Sequence, residues 1–405
     1  MNPQPFVQGV NYWPRAKAMT WWHDFDPDEV AADFELIASL GMDVVRLFLL
    51  WDDWQPRPDE VSEACLEHFR TVCDVAARNG IGLDVTFFVG HMSGPNWAPG
   101  WLLGGEVDAQ QVVSGGRIVT GGYRNMFTDP VALAAERLLL STVVAAFRDH
   151  PAIWLWNLGN EPDLFAWPPT AAIGRAWAAD MTAHIEAIDP GHGVTCGLHA
   201  ASLLQDNGLR VHDVFASASV GTMHAYPMYL PVARGPLDPD LVPFSCALTR
   251  ALSGRPVLME EWGGCSAPPG EESQTWRWTS YGHPRSQFMA SEEDLAHHIA
   301  AVLPKLVEVG ATGSLLWCFS DYSETLWESP PLRESKHERF FGVTRPDGSL
   351  KPHATVIKDF AATRPRVLTS GYRSVELDVS PEEYYRAPAD HFQRLYRAYL
   401  ERHGS

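Results

Sequence analysis

The chain has 405 residues, 45% hydrophobic and 20% charged, enough for one large domain or two ordinary ones around a sizeable core. A formal net charge of -19 repels phosphate backbones and argues against nucleic acid as a partner. No apolar run approaches the ~20 residues needed to span a bilayer, so no membrane partner is expected, and Met1 to Val10 has neither a basic start nor a long apolar stretch, which points to the cytoplasm.

Apolar strand-like runs alternate with helix-like runs along most of the chain. Val7 to Tyr12 is the first strand, and Asp26-Pro27-Asp28-Glu29 opens a helix with proline early and acids in the first turn. Val30, Phe34, Ile37 and Ala38 share one face of that helix, which Gly41 ends. Val44 to Leu50 is the second strand, Ser62 to Asn79 a helix, and Ile81 to Val89 the third strand. A long loop rich in Gly, Pro and Trp then runs to about Asp129, before a helix over Pro130 to His150. Ala152 to Leu158 is the fourth strand, Thr170 to Ile188 a helix, Gly193 to Leu198 the fifth strand and Val220 to Ala225 the sixth. A helix near Asp238 to Ser253 leads to the seventh strand, Pro256 to Glu260. A second long loop precedes the helix from Glu292 to Val309, then the eighth strand, Thr312 to Phe319, and a helix near His353 to Ala362.

Eight strand–helix units with near-continuous apolar strands predict an all-parallel closed sheet, the α/β class (β/α)8 or TIM barrel, over residues 1–363. Residues 364–405 depart from the pattern and read as a C-terminal appendage, with a strand at Tyr372 to Leu377 and a helix within Pro381 to His403. An open doubly wound sheet is the alternative, but no Gly-rich phosphate loop follows the first strand. Six cysteines, at 65, 73, 196, 246, 265 and 318, form no CxxC pair, so neither a zinc site of that kind nor a metal or other cofactor is indicated. Cys73, Cys196 and Cys318 sit in apolar or helical patterns and read as buried reduced thiols.

Two of the strands carry the chemistry. The run Ile153-Trp154-Leu155-Trp156-Asn157-Leu158-Gly159 stops on Asn160-Glu161-Pro162, and Val257-Leu258-Met259 stops on Glu260-Glu261-Trp262-Gly263. An ionisable group at the end of an apolar strand costs free energy unless it is paired or used. Working residues of such barrels lie at the C-terminal ends of strands. Those ends supply Arg46 and Trp51, His91, Asn160 and Glu161, His199, His224 and Tyr226, Glu260 and Glu261, and Trp317. Two carboxylates facing one cleft are the minimal equipment for breaking a glycosidic bond. The sixteen tryptophans add sugar-stacking faces: Trp13, Trp21, Trp22, Trp54, Trp97, Trp101, Trp276 and Trp278 fall in expected loops, with core packing the competing reading for about half of all sixteen.

In this order and at these strand ends, Asn160-Glu161-Pro162, His224-Ala225-Tyr226 and Glu261-Trp262-Gly263 resemble glycoside hydrolase family 5, within a clan of retaining glycosidases. The likeness spans roughly residues 5 to 363, and the segments Trp262 to Gly282 and Trp317 to Gly342 look like its bacterial β-mannosidase and mannanase branch. The resemblance implies that Glu161 is the general acid and base, Glu261 the nucleophile, and Asn160 the contact to the sugar 2-hydroxyl. It also implies a floor for the sugar from Trp317 and a place near the acid for His224. Arg46 and Tyr226 would keep Glu261 ionised, while the charged nucleophile would raise the pKa of Glu161. Because neighbouring strand residues face opposite ways, only one of Glu260 and Glu261 is expected to face the site. Glu260 then either contacts substrate or pairs with a cation behind the barrel. His91 and Trp101 complete the expected substrate-binding set.

The expected activity is a retaining exo-β-mannosidase acting on small oligosaccharides, with an endo-β-1,4-mannanase or β-1,4-glucanase as the alternative. The long loops Gly90–Asp129 and Gly263–Glu292 could wall off such a pocket. A metal-dependent barrel hydrolase would want a His-x-His pair on the first strand, where Asn11-Tyr12-Trp13 stands instead. A non-catalytic sugar-binding barrel would lack one of the glutamates. Structural roles compete for Arg46 as a buried ion pair, for Trp317 as a core indole, and for His91 and His199 as satisfied core groups.

Overall fold

The computed structural model describes residues 4–108 and 111–404, so the outermost ends of the two expected segments, residues 1–3 and 405, lie outside the described residues. Eight strands form the barrel: β1 Val7–Asn11, β2 Val44–Leu50, β3 Gly82–Val89, β4 Ile153–Asn160, β5 Gly193–Gly197, β6 Gly221–His224, β7 Val257–Gly263 and β8 Gly313–Trp317. All neighbouring pairs are parallel, from β6 through β7, β8, β1, β2, β3 and β4 to β5. The ring is completed between β5 and β6, where Ser219 N donates to Val194 O at 2.9 Å and His224 N to Leu198 O at 2.8 Å. Because parallel strands need crossovers, helices cover the outside and both strand faces are apolar, which is why the strands read as continuous hydrophobic runs.

Local signals set the helix starts. Asp26 caps Pro27–Ser39 by accepting from Asp28 N and Glu29 N, and Asp129 caps Pro130–Phe147 by accepting from Val131 N and Ala132 N, each with proline at the first helical position. The second of these helices is long and apolar enough to cross a membrane by length and composition, a possibility the run-length reading of the sequence had passed over. Here it lies against the helix Ala171–Ile188, with Leu139, Leu140, Val143 and Val144 buried.

The segment after residue 363 has a specific place. Between β5 and β6 the chain forms only two four-residue helices, Ala201–Leu204 and Val211–Val214. The helix Pro388–His403 covers that stretch of barrel wall, packing on Ala201–Leu204 and on Leu241–Ser253. Phe392 meets Phe244 edge-on at 5.1 Å, Tyr384 and Tyr385 donate to the carbonyls of Leu203 and Ser202, and Tyr396 donates to Asp238 Oδ2 at 2.7 Å. The strand expected at Tyr372 to Leu377 does not form. A closed barrel offers no free edge to pair with, and Tyr372 instead lies under the Arg250 guanidinium at 4.0 Å.

Most of the loop tryptophans are core. Trp13, Trp21, Trp22 and Trp54 are fully buried, packed among Phe48, Phe69 and Tyr12 beside β1 and β2. All six cysteines are free thiols and buried.

Candidate active site

The C-terminal ends of the strands converge on a pocket of about 530 Å³ lined by His91, Asn160, Glu161, His199, His224, Tyr226, Glu261 and Trp317 among others. Glu161 follows β4 directly, in the left-handed region at φ 46°, and its side chain makes no cap bond to the short helix Pro162–Phe165. A helix-capping role is therefore ruled out. The backbone strain, about 1–3 kcal/mol for a residue held this way, is spent on aiming the carboxylate into the pocket.

Glu161 and Glu261 meet there: one oxygen of each carboxylate and a ring nitrogen of His224 all lie within 4.8 Å of one another. Glu261 is gripped from two sides, by Arg46 Nη1 at 2.5 Å on Oε1 and by the Tyr226 hydroxyl at 3.0 Å on Oε2. Arg46 is fully buried on β2 and also donates to Asn160 Oδ1 at 3.1 Å, Asn11 Oδ1 at 3.2 Å and Thr86 Oγ1 at 2.9 Å. Asn160 in turn donates to the His91 carbonyl at 3.2 Å, so its amide is held in one orientation at the pocket edge. Trp317 meets Phe48 edge-on at 5.8 Å and is 6% exposed, its open part belonging to the pocket floor.

Two expected contacts fail. Trp101 is absent from the pocket wall; its indole donates to the Gln55 carbonyl at 2.8 Å and packs edge-on against Trp51. Glu260 does not reach a substrate, being fully buried and outside the pocket lining. Nor does it turn to the back of the barrel. Strand β7 carries a one-residue bulge: Met259 pairs with Ser314 but Trp262 with Leu316, and on the other side Met223 pairs with Met259 but His224 with Glu261. The bulge breaks the alternation of the strand, so both glutamates face inward, one above the other.

Below the pocket, Glu260 Oε2 lies 2.9 Å from His224 Nε2 and 3.4 Å from Arg46 Nη2, and Oε1 accepts from Asn157 Nδ2 at 2.9 Å. This lower carboxylate orients the two cationic groups that hold the upper pair. Gly197 on β5 leaves them room, since a Cβ there would stand 2.7 Å from Arg46 Nη2 and 3.0 Å from Glu260 Oε2. Burial and the Glu260 charge push Asp84, also fully buried, well above the ordinary carboxylate range. Asp84, Asn157 and Asp163 were not singled out in the sequence; they sit inside or just past apolar strands and reveal their roles only by what they face.

The proton distribution differs from expectation. Burial raises Glu161, but His199, His224 and His91 outweigh it and hold the carboxyl below its usual range. Burial lowers His224, but Glu261, Glu161 and Glu260 raise it to about 9. His199 also rises to about 9, burial being overcome by Asp163, whose Oδ2 lies 2.8 Å from Nε2, and by Glu161. The mobile proton of the free enzyme thus sits on imidazole, and the 2.8 Å contact between His224 Nδ1 and Glu161 Oε1 makes the two residues one titrating pair. Burial raises Glu261, with His224 and Arg46 opposing it and Glu161 and Glu260 adding to it.

With Glu261 as nucleophile and the Glu161–His224 pair as acid, the expected pH dependence of kcat/KM is bell-shaped. The acid limb, where Glu261 must ionise, falls above the ordinary carboxylate value, and activity appears as pH rises through it. The basic limb, where the Glu161–His224 pair loses its proton, falls near 9, and activity is lost as pH rises through it. Glu260→Gln removes the charge facing His224 Nε2 and moves the basic limb to lower pH, and the acid limb shifts the same way because the Glu260 charge also raises Glu261; an unmoved basic limb would show that Glu260 does not set the proton on His224.

A family model described as "Glycosyl hydrolases family 2, TIM barrel domain" matches residues 6–226. The chain belongs to that glycosyl hydrolase family. The motifs had pointed to family 5, and the proteins this chain is similar to include mannan endo-1,4-beta-mannosidases and GH5_18 proteins. A mannan endo-1,4-beta-mannosidase F, described as probable, from Aspergillus flavus is 26% identical over 155 residues, 35% of this chain and 33% of that protein. Mannan endo-1,4-beta-mannosidase A from Hypocrea jecorina is 24% identical over 271 residues, 62% of this chain and 59% of that protein. The glycosyl hydrolase thus spans about a third to three-fifths of the length of these two curated relatives. Among solved structures, an exo-beta-1,4-mannosidase from Opitutaceae bacterium strain TAV5 superposes with a TM-score of 0.72 at 26% identity, over 89% of this chain and 60% of that one. A GH5_18 protein from Streptomyces cattleya, solved with Manb1-4GlcNAc, superposes at 0.78 over 98% of this chain and 92% of that one; at 24% identity it shares the fold.

Proposed function

We propose that this protein is a retaining exo-acting β-mannosidase that cleaves small oligosaccharides. The approach of Glu161 and Glu261 carries the reading, because carboxylates about 5 Å apart leave no room for water between nucleophile and sugar, the spacing of double displacement. A Glu261 oxygen attacks the anomeric carbon as Glu161 passes the pair's proton to the departing oxygen, leaving a glycosyl ester on Glu261. Glu161 then takes a proton from water, which attacks the same carbon and frees Glu261, so the sugar leaves with its original anomeric configuration. Arg46 and Tyr226 hold Glu261 in the geometry for attack, and Asn160 presents its amide where the 2-hydroxyl of the sugar would lie.

The mannose preference rests on the relatives, which include an exo-mannosidase, a GH5_18 protein solved with Manb1-4GlcNAc, and mannan endo-mannosidases. An endo-mannanase is the second reading, favoured by those curated relatives and by the large chamber that adjoins the pocket. The spacing of Glu161, His224 and Glu261 would also suit a cation, but the Arg46 guanidinium already neutralises Glu261 and makes the triad a poor metal site. Early-time NMR of a hydrolysed aryl β-mannoside should show the β-anomer of mannose first; α-anomer first would overturn double displacement. A panel of aryl β-mannoside, β-glucoside and β-galactoside, followed by product sizing on a manno-oligosaccharide, tests the sugar and the exo mode.

A further inference from the structure

Outside the catalytic pocket lies a second chamber of about 1140 Å³ that shares His91, Leu164, Tyr229 and His337 with it. Two insertions into the barrel pattern help to wall it. One holds the small sheet of Asn96–Trp97, Val112–Ser114 and Arg117–Val119, after β3; the other is the antiparallel hairpin Gln274–Ser280 with His283–Met289, after β7. Both are tied down: Asn96 Nδ2 donates to the Tyr123 hydroxyl at 2.8 Å, the Trp278 indole to the Glu334 carbonyl at 2.7 Å, and Tyr281 N to Glu334 Oε2 at 2.8 Å. The chamber is therefore preformed.

Its walls suit carbohydrate. Trp167 is 52% exposed and Tyr229 44% exposed, an unusual state for such large side chains, and Trp278 also lines the chamber. Asn125 fixes Trp167 in place by donating to its carbonyl at 2.8 Å. Flat aromatic faces set among amides, hydroxyls and the Arg285 side chain match the alternating apolar and hydroxylated faces of sugars. The hairpin after β7 carries Trp278 to the chamber, and its anchoring on Glu334 holds that indole there.

We infer that this outer chamber is a second carbohydrate-binding site that takes the leaving-group end of the substrate, so that the protein acts on β-mannosides carrying two or more sugars beyond the cleaved bond. The inference rests on the mannosidase reading. With the terminal sugar held over Glu161 and Glu261, the adjoining space is where the remainder of the oligosaccharide lies, against Trp278, Trp167 and Tyr229.

The test compares kcat/KM for an aryl β-mannoside with β-mannosides bearing one, two and three sugars as leaving group, in the wild-type protein, Trp278→Ala and Trp167→Ala. The expected result is a gain of about tenfold on going from one to two leaving-group sugars, equivalent to ~1.4 kcal/mol. Each tryptophan variant loses most of that gain and keeps wild-type activity on the aryl mannoside. Trp167, being half exposed, keeps the test valid should Trp278→Ala fold poorly. No dependence on length, with aryl β-mannoside still cleaved, overturns the chamber and leaves the mannosidase reading standing. If no β-mannoside is cleaved, the mannosidase reading falls instead, and fluorescence titration of the wild-type protein with manno-oligosaccharides decides the chamber: tighter binding of the longer sugars, abolished by Trp278→Ala, supports it, and length-independent binding overturns it.

Discussion

Glu261→Ala should lose turnover on every β-glycoside, whatever the leaving group, by about 10⁴-fold or more, because the glycosyl ester cannot form without the attacking oxygen. The fold should survive this change better than the loss of a structural charge would suggest, since Arg46 keeps Glu260, Asn160 and Asn11 as partners. Circular dichroism alongside the kinetics separates loss of chemistry from loss of structure. The informative control is Glu260→Ala. That change leaves a buried Arg46 and His224 short of a counter-charge, so it should cost ~3–5 kcal/mol of stability and weaken catalysis through disordered partners. If Glu260→Ala is instead the folded protein without turnover, and Glu261→Ala retains activity, the two glutamates have been assigned the wrong way round.

Glu161→Ala should separate substrates by their leaving groups. For an oligosaccharide, whose departing oxygen needs a proton, kcat/KM should fall by about 10²–10⁴-fold, the usual contribution of general acid catalysis. For a nitrophenyl mannoside, which departs readily as the anion, formation of the ester should be nearly unaffected and its hydrolysis should become the slow step. A burst of nitrophenol followed by slow turnover is the expected signature. An equal fall for both substrates would mean that Glu161 does not protonate the leaving oxygen. The basic limb near 9 should also vanish for the nitrophenyl substrate, because ester formation no longer depends on the proton held between Glu161 and His224.

Much of this architecture was legible from periodicity. Strands buried on both faces must be continuously apolar, and amphipathic helices between them must carry a 3.6-residue stripe, so most barrel units announce themselves locally; the stretch between β5 and β6, with two four-residue helices, does not. Capping is local too, as Asp26 and Asp129 illustrate. Less visible was the fate of the tryptophans. Trp13, Trp21, Trp22 and Trp54 look like loop residues in sequence, but the loops they occupy fold back into the core, and an indole is equally at home in both places. The Tyr372 to Leu377 segment has strand-like composition and forms no strand, because strand formation needs an edge and the barrel has none to offer.

Along the chain alone, then, the residue order determined which glutamates end which strands, and so placed Glu161 and Glu261 at the same rim before any coordinates. The tertiary structure decided everything that depends on who faces whom. A one-residue bulge in β7 turns Glu260 inward against the simple alternation, and that carboxylate supports Arg46 and His224 from below. Convergence of His199 and His224 on Glu161 puts the free enzyme's proton on imidazole, where pairwise reasoning about two carboxylates had put it on Glu161. The reason is common to both: strand ends are set by short-range hydrophobic pattern, whereas charge, proton and facing are set by contacts between residues far apart in the chain, such as Arg46 and Glu261, 215 positions apart.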